Sequence, residues 1–302
     1  MTAKRVLVVG CNGLLGQKVA RRLLENPNVT VMGASVEPEL LFDAPLPYHQ
    51  MDITREEAVN RLVSNCAPDA IVNAAAYTNV DRAEIEKTLC WEINVVGVEN
   101  LARVARDIGA RFYHISTDYV FSGENGPYSE EDKPAPRGFY ARSKLTAEWV
   151  LEAFGVPSFI ARTSTLFGLG EHVRPNFVTW LISALQAQKA VTIVTDQISN
   201  PTLADNLAEV LAVAIEKEAE GIYHVTGSEA LSRYAFALKI AEVFDLNPAL
   251  IRKGKTADLK QLAQRPLNAA LRVDKVQRDL GVHLFTVEEA LRELKKQMEM
   301  NS

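Results

Sequence analysis

The chain has 302 residues, of which 47% are hydrophobic and 24% are charged. This length and composition can bury a sizeable core, which excludes a disordered protein and suits one large α/β domain with a smaller appendage. The formal net charge of −5 gives no general attraction to phosphate backbones or anionic lipid, so neither nucleic acid nor a membrane is expected as a partner. A small soluble substrate fits better.

The three cysteines, Cys11, Cys66 and Cys90, are scattered and lack Cys-x-x-Cys spacing, so the sequence predicts neither a disulfide framework nor a thiolate metal site. The first residues lead directly into a strand without a signal-peptide apolar region, and no run approaches the ~20 apolar residues of a membrane span. A cytoplasmic location is expected. The five histidines show no ligand spacing, His114 is interpreted as a core residue, and no metal is predicted.

Short β-branched runs alternate with amphipathic helical stretches in the first half of the chain. Runs such as Val6-Leu7-Val8-Val9 are apolar without alternation, which is typical of parallel strands covered on both faces. The predicted strands lie near residues 5–9, 29–32, 48–51, 70–73, 111–116 and 158–161. The pattern predicts an α/β fold, a Rossmann-type doubly wound parallel sheet.

The pattern loosens after about Arg162 and indicates a smaller C-terminal lobe. Helices are predicted near residues 176–188, 204–217, 232–244 and 286–298, with short strands near 191–194 and 222–225. We predict an NAD(P)-binding Rossmann domain over residues 1–163 and a substrate-binding lobe over residues 164–302. Part of residues 190–222 is expected to pack back on the first domain.

A glycine-rich turn follows the first predicted strand and precedes a helical stretch. Gly10, Gly13 and Gly16 would let the backbone approach a dinucleotide pyrophosphate at the helix N-terminus. The alternative is a tight turn that binds nothing, which the flanking strand and helix make the weaker interpretation. The predicted cofactor contacts here are Gly10, Asn12, Gly13, Leu14, Leu15 and Gly16.

Further cofactor contacts are predicted at the ends of the next strands. Asp52 and Ile53 would take the adenine, although Asp52 as a plain helix N-cap is an equally weighted alternative. Small residues where the ribose and nicotinamide would pass are Ala74, Ala75 and Ala76. Ser35, at the end of the second strand, is a further predicted cofactor contact. No acidic residue stands there for a ribose 2′-hydroxyl, which favours NADPH. The arginine expected for a 2′-phosphate is also missing, so NADH stays open as a second cofactor; Lys18, Arg21 and Arg22 are the substitutes considered.

Tyr140 and Lys144 stand four residues apart, so they share one face of a predicted helix, and both are also predicted to contact the nicotinamide ribose of the cofactor. An ammonium about 5 Å from the phenol would stabilise the phenolate by roughly 3 kcal/mol at an effective dielectric of about 20, which would lower the pKa of Tyr140. Tyr140 is therefore predicted to act as a general acid toward a carbonyl oxygen, which Thr117 would orient. The alternative is that Thr117 caps a turn and Tyr140 only packs. A nearby run of charges at Glu84, Glu86 and Lys87 is interpreted as a solvated helix face.

The combination resembles the extended short-chain dehydrogenase/reductases, in particular the dTDP-4-dehydrorhamnose reductase family, with the regulatory beta subunit of methionine adenosyltransferase as a close relative. The similarity covers nearly the whole chain and is carried by Asn73-Ala74-Ala75-Ala76, Val80-Asp81-Arg82-Ala83-Glu84, Ser116-Thr117-Asp118-Tyr119-Val120-Phe121, Pro127-Tyr128 with Glu131-Asp132, Tyr140 with Lys144, Asp196-Gln197 with Pro201-Thr202, and Arg265-Pro266-Leu267-Asn268.

The resemblance implies that Thr117, Tyr140 and Lys144 are the catalytic trio and that a sugar nucleotide lies between the lobes. The substrate contacts it implies are Asp118, Tyr119, Asn176, Phe177, Arg265 and Asn268. A planar guanidinium at Arg265 suits a diphosphate. Helices near residues 88–107 and 140–154 pair in dimers of this superfamily, so a homodimer is expected.

Two departures from the family pattern bear on the function. Thr165 stands where the rhamnose-forming enzymes usually carry a tryptophan near the sugar, and Lys18 stands where a magnesium contact would need an acidic residue. The main hypothesis is NAD(P)H-dependent reduction of a 4-keto sugar nucleotide, dTDP-4-dehydrorhamnose first among them. The alternatives are an NADP-binding regulatory subunit of the methionine adenosyltransferase type and a sugar-nucleotide epimerase; a dehydratase is disfavoured because Tyr119, not glutamate, follows Asp118.

Overall fold

The computed structural model describes residues 3–300. The strands are β1 (Lys4–Val9), β2 (Val29–Ser35), β3 (Tyr48–Gln50), β4 (Ala70–Asn73), β5 (Arg111–Thr117), β6 (Ser158–Thr163), β7 (Leu166–Phe167), β8 (Val191–Val194), β9 (Ile198–Ser199), β10 (Thr202–Leu203), β11 (Gly221–His224), β12 (Leu231–Ser232) and β13 (Ile251–Gly254).

The helices are α1 (Leu14–Leu24), α2 (Glu56–Cys66), α3 (Lys87–Trp91), α4 (Gly97–Ile108), α5 (Phe139–Phe154), α6 (Phe177–Gln186), α7 (Ala204–Glu216), α8 (Arg233–Val243), α9 (Asp274–Leu280) and α10 (Val287–Met300). A π-helical segment, Glu92–Val96, joins α3 to α4. No helix within residues 3–300 is long and apolar enough to cross a membrane.

Seven parallel strands form the main sheet in the order β3-β2-β1-β4-β5-β6-β11. Successive residues of β1 face opposite sides, so Val6 and Val8 pack toward α1 and α7 while Leu7 and Val9 pack toward α2 and α4. Because both faces are covered, the four buried positions of β1, Val6 to Val9, are all apolar, while the charged Lys4 and Arg5 begin the strand outside the core. The predicted doubly wound α/β fold is confirmed.

The chain returns to the main sheet after β10, which changes the predicted division into lobes. Helix α7 packs on α1, and β11 extends the sheet beside β6, with Gly221 opposite Phe159 and His224 opposite Arg162. Residues of α9 join the same apolar cluster. The stretch 164–302 is therefore not one continuous lobe, because parallel pairing with β6 draws residues 204–224 back. Of the stretch 190–222, the strands β8, β9 and β10 pair outside the main sheet, with β13, β12 and β7 respectively.

A separate apolar cluster forms the smaller lobe. Helices α6, α8 and α10 surround the parallel pair of β8 and β13, and Phe167, Leu181, Phe236 and Leu291 are fully buried there. The segments that build this lobe come after the carboxyl ends of β6 and β11 in the chain. The order of the sheet reverses between β1 and β4, which is where open α/β sheets form a ligand crevice.

Candidate active site

The glycine-rich turn closes tightly on itself and on the segment after β4. Gly10 has φ +76°, and a Cβ there would lie 2.6 Å from the Ala75 nitrogen. A Cβ on Gly16 would lie 2.2 Å from the Gly10 carbonyl oxygen, so both positions require glycine for internal packing. Gly13 is different, since a Cβ there would meet only that oxygen, at 3.3 Å. Gly13 therefore marks the open side of the turn.

The N-terminus of α1 has the features of a phosphate site. Gly13 is its N-cap, no side chain caps it, and its first turn has no acidic residue. The first amides of a helix have no acceptor within the helix, and the helix dipole favours an anion there. The backbones of Leu14, Leu15 and Gly16 thus fit the pyrophosphate that the sequence assigned to them, and the side chain of Leu15 is buried behind them.

The Asn12 side chain fixes the loop after β2. Its amide nitrogen donates to Glu37 Oε2 at 3.1 Å and to the Glu39 carbonyl oxygen at 3.0 Å, while its oxygen accepts from the Leu41 amide at 3.0 Å. Ser35 Oγ accepts from the Asn12 backbone amide at 3.2 Å. Glu37 is therefore held beside the glycine turn. Because Glu37 comes two residues after the end of β2, the sequence did not reveal that the loop would bring this carboxylate to the glycine turn.

The three cations considered as contacts for a 2′-phosphate all pair with carboxylates of the protein. Lys18 pairs with Asp205 at 2.8 Å, and Arg21 pairs with Glu171. Arg22 pairs with Glu25 within its own helix. None of these three cations is directed to the end of β2 by its pairing.

Asp52 and Ile53, the predicted adenine contacts, have structural partners. Asp52 Oδ1 accepts from the backbone amide and the hydroxyl of Thr54, at 2.9 and 2.8 Å, which closes the turn before α2. Ile53 is 6% exposed and lies against Gly97 of α4. The other Asp52 oxygen makes only a long pair with Arg55, at 3.9 Å. Most of the Ile53 side chain belongs to the core.

Ala74, Ala75 and Ala76 leave β4 beside the glycine turn. The Ala74 amide donates to the Val9 carbonyl oxygen at 2.9 Å, and all three alanines are partly exposed. Small side chains keep the crevice between β1 and β4 open. This placement agrees with a passage for the ribose and nicotinamide.

Thr117 and Tyr140 meet where β5 ends and α5 begins. Thr117 Oγ1 donates to Asp118 Oδ1 at 3.0 Å and accepts from the Tyr119 amide at 3.2 Å. Burial raises the pKa of Tyr140, the neighbouring Asp118 raises it further, and the Thr117 hydroxyl acts in the opposite direction. The sequence-based expectation of a lowered tyrosine pKa is therefore not what the structure shows.

Lys144 lies on the same helix but is directed to a different partner. Its Nζ lies 3.2 Å from Nε2 of His114, and both residues are buried. Burial lowers the pKa of Lys144 to about 8, and burial together with the charge of Lys144 lowers the pKa of His114 well below its usual range. A neutral His114 can accept from the ammonium through Nε2, because a charge-assisted bond outweighs the 3.4 Å contact of Nδ1 with Asn73 Nδ2. The sequence correctly suggested a core histidine but gave no signal of this bond.

A buried ion pair lies one helical turn beyond Lys144. Glu148 accepts from Arg162 at 3.1 and 2.7 Å and from the Ser116 hydroxyl. Both members of the pair are 3% exposed. Since Glu148 is on α5 and Arg162 is on β6, the pair fixes the helix that carries Tyr140 and Lys144 against the sheet.

Glu84 holds the N-terminus of the same helix. Its Oε1 accepts from the Phe139 backbone amide at 2.7 Å. An acidic group at a helix N-terminus satisfies an unpaired amide and complements the helix dipole. The interpretation of Glu84 as part of a solvated face is wrong, because the contact spans 55 residues and is not visible in a local pattern. Glu86 bonds to Tyr77 and Arg82.

Asp118 and Tyr119 are both predicted substrate contacts, but they differ in how accessible they are to a substrate. Asp118 is 2% exposed, and its second oxygen accepts from Ser164 Oγ at 2.7 Å. Burial raises the pKa of Asp118 to about 6. Tyr119 is partly exposed and meets the Tyr140 ring edge-on, with centroids 6.4 Å apart. Tyr119 can thus reach a ligand, whereas Asp118 supports Thr117.

Asn176 and Asn268 use their amides within the protein. Asn176 caps α6, since its Oδ1 accepts from the Val178 and Thr179 amides and its nitrogen donates to the Gly168 carbonyl oxygen at 2.7 Å. Asn268 donates to the Gly126 carbonyl oxygen at 3.0 Å and accepts from the Ala270 amide at 3.3 Å. Their side chains position α6 and the segment after Arg265, which leaves them little capacity for substrate.

Phe177 and Arg265 lie on the smaller-lobe side of the site with a residue that the sequence did not reveal. Arg265 pairs with Asp81 at 2.8 Å, and its Nη1 is buried without a partner among the described residues. Arg233, the first residue of α8, places its guanidinium 4.7 Å from the centre of the Phe177 ring. A single arginine in a predicted helix gives no sequence signal that it lies at the site.

Thr165 lies just beyond β6 with φ +40°, an uncommon backbone conformation for a β-branched residue. Its hydroxyl is 2.9 Å from Ser199 Oγ, and the preceding Ser164 bonds to Asp118. The position expected to carry a tryptophan thus lies one residue from the network of Thr117.

Comparisons with known proteins agree with this geometry. A family model described as the RmlD substrate binding domain matches residues 4–300. The chain belongs to this family. It is 34% identical to the dTDP-4-dehydrorhamnose reductase of Aggregatibacter actinomycetemcomitans, over 96% of this chain and 98% of the relative. It is 37% identical to the probable low-salt glycan biosynthesis reductase Agl14 of Haloferax volcanii, over 94% of this chain and 95% of the relative.

Solved structures of the family share the whole fold. The dTDP-4-dehydrorhamnose reductase of Bacillus anthracis in complex with NADP superposes with a TM-score of 0.88 at 29% identity, covering 98% of this chain and all of that one. The corresponding Clostridium acetobutylicum structure gives 0.87 at 31% identity, with the same coverage of 98% and 100%. The resemblance to extended short-chain reductases is thus confirmed.

Proposed function

We propose that the protein reduces the ketone of a 4-keto sugar nucleotide with NADPH, and that dTDP-4-dehydrorhamnose, giving dTDP-rhamnose, is the substrate. The observation that carries this proposal is the approach of Tyr140, on α5, to the end of β5, where the Tyr119 ring lies edge-on to it at 6.4 Å and the Tyr119 amide donates to Thr117 Oγ1 at 3.2 Å. Relatives named as dTDP-4-dehydrorhamnose reductases over nearly their full length support the sugar nucleotide.

Tyr140 would donate a proton to the carbonyl oxygen. Its raised pKa keeps the hydroxyl protonated at neutral pH, which suits an acid in a reduction. Thr117 would hold the same oxygen by turning its single O–H from Asp118 Oδ1 to the substrate. Lys144 would bind the nicotinamide ribose with its ammonium, which His114 holds in place.

The amides at the start of α1 and the open side of Gly13 would hold the pyrophosphate, with Ala74–Ala76 along the ribose. When bound, the nicotinamide supplies the hydride. NADP in the Bacillus anthracis relative supports NADPH. The position of Glu37 beside Asn12 favours NADH as a second cofactor, because a carboxylate there suits a ribose 2′-hydroxyl better than a phosphate.

We propose that residues 1–163 bind the cofactor and that residues 164–302 bind the substrate, as the sequence predicts, except that residues 204–224 belong structurally to the cofactor-binding region. A homodimer through α3, α4 and α5 is also proposed, since Leu89, Trp91 and Trp149 expose 40% or more of their surface there. We propose a cytoplasmic site of action, in keeping with three free cysteines.

The test follows NADPH absorbance after dTDP-4-dehydrorhamnose is added, with Tyr140→Phe as the matched variant and dTDP-rhamnose identified as product. We expect ketone-dependent NADPH oxidation that the variant lowers about 10²- to 10⁴-fold, the range for a lost general acid. NADPH binding by Tyr140→Phe, measured by fluorescence, should be retained. Absence of oxidation by the wild type with bound NADPH would refute the reductase and favour the regulatory subunit; an epimerised or dehydrated product would favour those enzymes.

A further inference from the structure

The side chain of Gln17 joins the glycine turn to a segment that leads into the smaller lobe. Gln17 is the fourth residue of α1 and is fully buried. Its amide nitrogen donates to the Asn12 carbonyl oxygen at 2.9 Å and to the Glu171 carbonyl oxygen at 2.7 Å. Its amide oxygen accepts from the Glu171 backbone amide at 2.9 Å. One side chain therefore satisfies three backbone groups that belong to two distant parts of the chain.

The contact with Asn12 fixes one peptide plane of the glycine turn. Because a peptide group is planar, holding the Asn12 carbonyl oxygen also sets the direction of the Gly13 amide, which donates to the Gly10 carbonyl oxygen at 3.0 Å. The Gln17 backbone amide donates in turn to the Gly13 carbonyl oxygen at 3.0 Å. A shift of this turn when a pyrophosphate binds would therefore reach the Gln17 side chain directly.

The other side of the contact is the connecting segment, residues 168–176, which joins β7 to α6. The Gly168 carbonyl oxygen accepts from Asn176 Nδ2 at 2.7 Å, and Asn176 caps α6. The next residue, Phe177, faces the guanidinium of Arg233 on the smaller-lobe side of the site. The position of the connecting segment therefore sets where α6 begins and where the Phe177 ring lies.

Other side chains of α1 hold the same junction, but their partners lie outside the glycine turn. Lys18 donates to Asp205 at 2.8 Å and to Gln297 of α10 at 3.2 Å. Arg21 pairs with the Glu171 carboxylate, and both of these side chains are exposed by 40% or more, so this pair holds the segment weakly. Gln17 differs from both because it contacts the backbone of the turn as well as that of the segment.

We propose that Gln17 is a positioning residue that couples the two ligand sites: NADPH at the glycine turn orders the connecting segment through Gln17, and the substrate then binds more tightly. The inference rests on the proposed function in that the cofactor pyrophosphate occupies the start of α1. A ligand that fixes the turn leaves less conformational freedom to be lost when a second ligand fixes the segment. By reciprocity, the substrate must tighten NADPH binding by the same factor.

The first test measures hydrogen–deuterium exchange of the connecting segment with and without NADPH, at concentrations that saturate each variant. We expect NADPH to slow this exchange at least about fivefold in the wild type, the lower end of usual coupling between sites. Gln17→Met, which keeps the side-chain length without the amide, should abolish the slowing. Gly170→Ala keeps Gln17 but should also reduce the slowing, because its Cβ would lie 3.0 Å from Gln17 Oε1.

Glu171→Gln is the matched control. It removes the ion pair with Arg21 but keeps the two backbone groups that Gln17 holds, so NADPH should slow exchange as in the wild type. The second test measures dTDP affinity by calorimetry with and without NADPH. We expect NADPH to tighten dTDP binding at least about fivefold in the wild type and in Glu171→Gln, and less than about twofold in Gln17→Met.

Exchange of the segment that ignores NADPH in the wild type would overturn the coupling, and so would equal slowing in Gln17→Met. The exchange test uses no sugar nucleotide, so its failure is distinct from that of the reductase. Slowing that needs Gln17, without ketone-dependent NADPH oxidation, supports the coupling and removes the reductase. Turnover of the keto sugar with slowing that ignores Gln17 leaves the reductase standing and removes the coupling.

Discussion

The contact between His114 and Lys144 predicts a pH-dependent defect when the histidine is replaced. His114→Phe keeps an aromatic ring in the buried site but removes the nitrogen that lies 3.2 Å from Lys144 Nζ. The ammonium would then lose its acceptor while staying buried. Leaving a buried donor unsatisfied costs about 1–3 kcal/mol, and about 1.4 kcal/mol corresponds to one pKa unit.

The size of the effect follows from the pKa of Lys144, which is about 8 with His114 present. The charged form of Lys144 predominates below its pKa, so activity that needs the ammonium is lost as the pH rises through it. A decrease of about one unit lowers the charged fraction at pH 8 from about a half to about a tenth, a loss of about fivefold. At pH 6 Lys144 is almost fully charged in both the wild type and His114→Phe, so the loss of activity nearly disappears.

The assay is the pH dependence of kcat/KM for NADPH, which reports titrations in the free protein. His114→Gln should restore part of the difference, because its amide oxygen offers a new acceptor. Tyr113→Phe is the control, since its hydroxyl lies on the opposite face of β5 and contacts Ala214 at 3.4 Å. An equal loss at pH 6 and pH 8, or a basic limb that does not move, would refute the reasoning.

Two further predictions concern the cofactor turn and the buried ion pair. Gly13→Ala should melt near the wild-type temperature, because its Cβ meets only the Gly10 carbonyl oxygen, at 3.3 Å, but it should weaken NADPH binding in a fluorescence titration because this Cβ lies on the open side of the turn. Gly10→Ala should both weaken NADPH binding and lower the melting temperature, because the residue has φ +76° and its Cβ would lie 2.6 Å from the Ala75 nitrogen. A stable Gly10→Ala that binds NADPH normally would contradict this. Arg162→Met should lower the free energy of unfolding, measured in urea, by about 3–5 kcal/mol because it leaves the buried Glu148 carboxylate without its partner. Adding Glu148→Gln should restore most of that free energy. An equally unstable double variant would locate the cost in packing instead.

The parts of the fold that follow local periodicity could be predicted. The uninterrupted apolar run Val6 to Val9 indicated a strand covered on both faces, and the structure confirms this with clusters on each side. The approach of Thr117 to Tyr140 was also predictable, because the end of a parallel strand and the following helix meet at one edge. These inferences need only the residue pattern and the direction of the chain.

The parts that depend on distant contacts could not be predicted. Arg233 lies on a helix of the smaller lobe, and nothing in its neighbouring sequence indicates that its guanidinium faces the Phe177 ring. Asn176 fits a family contact by type, yet its amide is consumed by the capping of α6. The return of α7 and β11 to the main sheet depends on pairing with β6, which lies about 60 residues earlier in the chain. In each case the deciding partner is far away in the sequence.

The electrostatics of the site favour proton donation over proton abstraction at Tyr140. Burial and the charge of Asp118 both raise its pKa, and Lys144, which would oppose them, is held by His114 instead. Above pH 6 Asp118 is ionised, so its effect on Tyr140 is present across the neutral range. The Tyr140 hydroxyl therefore stays protonated at neutral pH, which is the state that a reduction of a ketone requires.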